Sequence, residues 1–158
     1  MDETTLKNLD AKQIQEYQQN RYPLLFIDKI IEAVPGKYSK GYKNFSYNEW
    51  FFPAHFEDEP NVPGFVQIEA LAQTFLMSFL TFPEYKGSKT AFIKADNVLF
   101  KKKIIPGDRL DIVANLKSFR HGVAIGSVKS FVDNEPACSA DFVIAIPDVV
   151  KPLAPKGK

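Results

Sequence analysis

Apolar residues recur at helical spacing between Phe65 and Leu80, where Phe65, Ile68, Leu71, Ala72, Phe75, Leu76 and Phe79 return every three or four positions. Too many faces of this segment are apolar for a surface helix, so the pattern predicts a helix buried at the centre of its domain. Strand patterns flank it. Leu24 to Val34 reads as a strand, Pro35-Gly36 as a turn, and Lys37 to Tyr47 as a returning strand. After a loop over Pro83 to Lys89, strand character resumes from Thr90 to Phe100. The cleanest alternation runs from Arg109 to Phe119: Leu110, Ile112, Ala114 and Leu116 share one face, and Asp111, Asn115 and Lys117 share the other. A hairpin across Arg120-His121-Gly122 leads to Val123 through Val132. The turn Asp133-Asn134-Glu135-Pro136 then opens a last strand in which Cys138, Ala140, Phe142, Ile144 and Ile146 face one way. Met1 to Gln19 is polar apart from Leu6, Leu9, Ile14 and Tyr17; it predicts a short helix over the domain, broken at Asn20-Arg21-Tyr22-Pro23.

Two strands, one long buried helix and four more strands, without repeated βαβ alternation, predict an α+β domain in which an antiparallel sheet wraps the helix. The expected division is a helical extension over residues 1–19, one domain over 20–147, and a Lys- and Pro-rich flexible tail over 148–158. The 158 residues suffice for one core. A formal net charge of +1 gives no global field that argues for nucleic acid. The single cysteine, Cys138, excludes an internal disulfide and a thiolate metal cluster, and reads as a small apolar strand residue. The N-terminus lacks the apolar core of a signal peptide, and the longest apolar stretch, Phe75 to Phe82, is too short to span a bilayer. The expectation is a cytoplasmic protein.

Against this apolar background the buried helix carries Glu69 and, one turn later on the same side, Gln73. A buried carboxyl must be paired, protonated or used. His55 sits between Phe51-Phe52-Pro53 and Phe56, just ahead of the helix. Histidine as general base and a desolvated glutamic acid as general acid can remove a proton from one carbon and give one to a leaving oxygen. Gly64, without a Cβ and at the helix N-terminus, has an N–H that could approach a carbonyl oxygen closely. Taken singly, His55 also fits a core or capping histidine, and His121 fits a solvated turn. Phosphate-binding glycine loops, a G-x-S-x-G elbow and H-E-x-x-H spacing are all missing from the chain. Glu57, Asp58 and Glu59 beside His55 read as a solvated loop rather than a metal site, so neither metal nor organic cofactor is expected. Lys101-Lys102-Lys103 reads either as a solvated strand end or as a docking patch for an acidic partner.

The string from Asn48 to Gln73, N-E-W-F-F-P-A-H-F-E-D-E-P-N-V-P-G-F-V-Q-I-E-A-L-A-Q, resembles the active-site region of the bacterial (3R)-hydroxyacyl-acyl-carrier-protein dehydratases of the FabZ type. Arg21 to Asp28 resembles that family's R-Y-P-F-L-L-V-D strand, and Ile104 to Asp108 its V-V-P-G-D turn. The resemblance covers about Asn20 to Ile146 in order. It implies a hot-dog fold, a homodimer with joined sheets, possibly a hexamer as a trimer of dimers, and no cofactor. It implies that His55 abstracts the proton alpha to the thioester and that Glu69, from the other subunit, protonates the departing beta-hydroxyl. The N–H of Gly64 would hold the thioester carbonyl, and Gln73 would orient Glu69 or a water. An acyl tunnel is expected along the helix, lined by some of Phe65, Phe75, Phe79, Phe92 and Phe100, with Lys101, Lys102 and Lys103 facing an acyl carrier protein. The substrate would be a (3R)-3-hydroxyacyl thioester on carrier protein or coenzyme A. The sequence departs from the family pattern at Ala54, at Glu57-Asp58-Glu59, at Asn61 and Val62, and at Lys94 and Leu99. These departures leave room for a specialised dehydratase or thioesterase of a secondary pathway, or for an acyl-binding hot-dog protein without turnover.

Overall fold

The computed structural model describes residues 5–151. Seven strands form one antiparallel sheet: β1 (Leu6–Asp10), β2 (Lys29–Val34), β3 (Tyr38–Asn44), β4 (Ala91–Phe100), β5 (Arg109–Arg120), β6 (Val123–Val132) and β7 (Glu135–Ala145). Their order across the sheet is β1-β2-β3-β5-β6-β7-β4. Three helices accompany them: α1 (Ala11–Tyr17), α2 (Gly64–Leu76) and the single turn α3 (Pro147–Val150).

Strand alternation explains the inner face. On β5, Leu110, Ile112 and Ala114 are buried, and on β7, Cys138, Ala140, Phe142 and Ile144 are buried, as the period-two pattern predicts. Helix α2 lies on this face and packs across β3, β5, β6 and β7. Val66, Ala70, Leu71 and Phe75 have no exposed surface. The approach is close at Gly126 of β6. A Cβ there would stand 2.3 Å from the Asn115 carbonyl oxygen and 2.5 Å from the Phe75 ring, so only glycine lets helix and sheet come together.

Several expected boundaries change. The polar N-terminal stretch is not helix throughout: β1 pairs with β2, and Asp10 ends the strand and caps α1, its carboxylate accepting from the Gln13 N–H at 2.9 Å. The N-terminal extension is thus an edge of the same sheet. Leu24 to Asp28 is not strand. Its ends bond to backbone, at Arg21 and Tyr42, but its middle is met by a side chain, since Gln73 accepts from the Phe26 N–H and donates to the Leu24 carbonyl, both at 2.7 Å. The central helix ends at Leu76 rather than Leu80, although Met77, Phe79 and Leu80 remain fully buried. The expected flexible tail falls largely on residues 152–158, outside the described residues.

Candidate active site

The loop before α2 positions His55. A turn of 3-10 helix, Phe52–Ala54, is anchored by the buried Phe51 and Phe52, with Phe51 packed on Phe26 and Phe45 and Phe52 packed on Phe51. His55 follows, half-buried and stacked on Phe56, with Nδ1 3.2 Å from the Asn61 carbonyl oxygen. A carbonyl only accepts, so this contact assigns the proton to Nδ1 and leaves the Nε2 lone pair as the basic site.

Pro63 precedes the first turn of α2, whose leading N–H groups have no intrahelical acceptor. Gly64 and His55 line one open cavity of about 410 Å³, together with Gln67, Phe100 and the three lysines Lys101, Lys102 and Lys103. A Cβ on Gly64 would meet the Phe100 ring at 3.1 Å, tighter than ordinary contact, so glycine keeps the ring beside the helix N-terminus. Gln67 is a lining residue that sequence reading passed over, though it lies three positions after Gly64 and hence on the same side of the helix. It is 5% exposed; its Nε2 donates to the Val62 carbonyl at 3.0 Å, and its Oε1 has no partner among the described residues.

Glu69 lies elsewhere. It is two residues beyond Gln67, roughly 160° around the helix, and lines two other cavities, of about 380 Å³ and about 100 Å³. Within one chain the structure therefore separates His55 and Glu69. The carboxyl is half-buried, less enclosed than its apolar sequence neighbours suggest, because Phe65 beside it is exposed. Gln73 holds it: Nε2 donates to Glu69 Oε1 at 3.0 Å while the same amide is fixed by Leu24 and Phe26. Asn20, which the sequence marks only as the start of a helix break, lines both Glu69 cavities.

The five phenylalanines divide. Phe65 and Phe92 line Glu69 cavities and Phe100 lines the His55 cavity. Phe75 and Phe79 line none of the three; both are fully buried, packed on Phe142 and Phe119 respectively, and belong to the core. At the mouth of the His55 cavity, Lys102 pairs with Glu135 at 2.7 Å and Lys103 pairs with Glu59. The Lys103 ammonium, by hydrogen bond first and charge second, holds the Glu59 carboxyl below its ordinary range. One of the departing acids is thus partnered by a lysine expected to dock a carrier. Ala54 is exposed, and Lys94 pairs with Asp96 at 2.9 Å.

One buried helix packed on a seven-stranded antiparallel sheet is the hot-dog architecture, and solved structures share it. The dehydratase heterocomplex ApeI:P from Xenorhabdus doucetiae matches with a TM-score of 0.73 and 17% identity, over 90% of this chain and 97% of that one. A sigma28-regulated virulence protein from Campylobacter jejuni matches with a TM-score of 0.67 and 14% identity, over 88% and 91%. The family is settled by sequence: the FabA-like domain matches residues 19–141, and the chain belongs to that family. It is 39% identical over 138 residues to the 3-hydroxyacyl-[acyl-carrier-protein] dehydratase FabZ of Clostridium novyi (strain NT), covering 87% of this chain and 97% of the relative. It is 38% identical over 138 residues to the same-named protein of Bacillus licheniformis, covering 87% and 96%.

Proposed function

We propose that the chain dehydrates a (3R)-3-hydroxyacyl thioester carried on acyl carrier protein to the trans-2-enoyl thioester, as a cytoplasmic enzyme of fatty-acid biosynthesis, in a homodimer whose two sites each draw on both subunits. The observation that carries the reading is where the two half-sites meet β4. Among the described residues this strand has a hydrogen-bonded neighbour on one side only, β7. It begins beside the Glu69 cavity, at Phe92, and ends beside the His55 cavity, at Phe100. Antiparallel pairing of two β4 edges about a two-fold axis brings the start of one strand to the end of the other. Glu69 of the partner subunit then faces His55. The same pairing covers Phe92, Ile93, Leu99 and Phe100, which are 47%, 58%, 52% and 51% exposed in the single chain.

In that composite site Nε2 of His55 takes the proton from C2, and the electron pair moves to the thioester, whose oxygen is held by the Gly64 N–H at the positive end of α2. The C2–C3 double bond forms as the C3–O bond breaks, and Glu69 gives its proton to the departing oxygen, releasing water. Transfer of the His55 proton back to Glu69 through solvent resets the pair. Gln73 keeps Glu69 aimed, Lys101, Lys102 and Lys103 meet the acidic carrier, and the acyl chain runs between the subunits past Phe65 and Phe92.

The reverse reaction gives the test. Hydration of a trans-2-enoyl thioester, followed by loss of conjugated absorbance, should fall by at least about a hundredfold in Glu69→Gln. Full activity in that variant removes Glu69 from the mechanism, and an inactive wild type removes dehydration in favour of acyl binding or thioester hydrolysis.

A further inference from the structure

The wider of the two Glu69 cavities is lined chiefly by apolar side chains, Leu24, Phe26, Phe65 and Ile68, and the narrower one is more polar. Apart from Glu69, the only polar side chains lining them are Asn20 and Thr90, and Asn20 lines both. Two hydrogen bonds fix how Asn20 sits. Gln18, 1% exposed, donates from Nε2 to the Gln73 carbonyl at 3.1 Å, so its Oε1 is the acceptor end. Asn20 Nδ2 donates to that Oε1 at 2.8 Å. The amide of Asn20 is thereby oriented, and its Oδ1 is left without a partner among the described residues. Gln73 in turn donates to Glu69. Gln73 thus anchors both groups, the Glu69 carboxyl through its side chain and the Gln18–Asn20 pair through its main-chain carbonyl.

The chemistry proposed for Glu69 calls for such an acceptor. As the C3–O bond breaks and Glu69 delivers its proton, the departing oxygen becomes a water with two O–H donors. One of them points back to the carboxylate just formed. The other is left facing a wall formed chiefly by Leu24, Phe26, Phe65 and Ile68, where a donor without an acceptor is unfavourable. We propose that Asn20 Oδ1 accepts this second hydrogen bond, making Asn20 a catalytic residue for the leaving hydroxyl and, in the reverse direction, the group that aligns the attacking water with Glu69. The inference rests on the dehydratase reading and on Glu69 as its acid.

Steady-state hydration of crotonyl-coenzyme A by the full-length dimer tests it, with wild type, Asn20→Leu and Asn20→Asp compared across pH. Asn20→Leu removes the acceptor, and kcat is expected to fall at least about tenfold with KM within about twofold of wild type. Asn20→Asp keeps an acceptor oxygen but loses the N–H given to Gln18. It is expected to recover most of kcat and to move the carboxyl limb of the pH–rate profile upward, since a second carboxylate beside Glu69 opposes the charged form. Glu69 is the only titratable group among the lining residues of the two cavities, and the His55 that faces it in the composite site acts as the acid in hydration and so governs the opposite limb. A purely structural role predicts that both variants fall together with the limb unmoved, and this result overturns the inference, as does an unimpaired Asn20→Leu. With wild type active and Glu69→Gln inactive, either outcome counts against Asn20 alone. A wild type that hydrates no enoyl thioester overturns the dehydratase reading and the inference with it.

Discussion

The two outer strands of the sheet are both edges, but they are protected differently. Strand β1 has five residues, exposes Lys7 and Asn8, and turns directly into α1 through the Asp10 cap. Asn8 has φ of 55°, which breaks the regularity another strand would need for pairing. Shortness, polarity and irregularity are the usual means of blunting an edge. Strand β4 shares one irregularity with β1, since Asn97 has φ of 51° and the register with β7 shifts twice. It is nevertheless twice as long, and it offers Phe92, Ile93, Leu99 and Phe100 on either side of the polar stretch Lys94, Asp96 and Asn97. The contrast teaches that β1 closes the sheet, whereas β4 is the edge we propose a second copy continues.

The largest expected effect comes from making β4 resemble β1. Ile93→Lys combined with Leu99→Lys should give a folded monomer by light scattering, with hydration activity down by at least about a hundredfold because each isolated chain lacks half of its site. Asn8→Lys on β1 should change neither quantity. A smaller effect is expected beside β4, at the cavity mouth. Lys101 has no acidic partner among the described residues, while Lys102 and Lys103 are already paired. Lys101→Glu should raise KM for a carrier-bound substrate by about tenfold at low salt, with little change for coenzyme A. The smallest signal is chemical. Cys138 faces Phe100 across the β4–β7 ladder, is 2% exposed, and burial pushes its thiol up to about 11. At pH 8 roughly one thiol in a thousand is ionised. Iodoacetamide should therefore label the native protein far more slowly than the urea-unfolded chain, and rapid labelling of the native protein would mean that β4 opens from β7.

The same two edges mark how much was legible in the sequence. Buried strands β5, β6 and β7 announce themselves because one face of each must be apolar, and their boundaries match the alternation closely. Strand β1 was read as helix because Lys7, Asn8 and Asp10 leave no alternation to detect. Strand β4 was found, but its exposure was not, since apolar character reads the same whether a residue is buried by its own chain or by another. The helix was drawn too long for a related reason: Met77 to Leu80 are buried in turns, and an apolar run reports burial before it reports conformation. Leu24 to Asp28 misled because its backbone partner, the Gln73 amide, lies 47 positions away from Phe26. Of the site residues, His55, Gly64, Glu69 and Gln73 stood out by their setting among apolar neighbours or at the helix start. Asn20 and Gln67 did not, because their meaning depends on which cavity each side chain lines.

The account turns on one claim, that each site takes its histidine from one chain and its glutamic acid from the other. Co-expression of His55→Ala and Glu69→Gln chains carrying different tags tests it most directly. Random pairing makes half of the dimers mixed, and each mixed dimer holds one site with both groups intact, so hydration activity should return to about a quarter of wild type. If isolated mixed dimers are as inactive as either parent, His55 and Glu69 do not act across the interface.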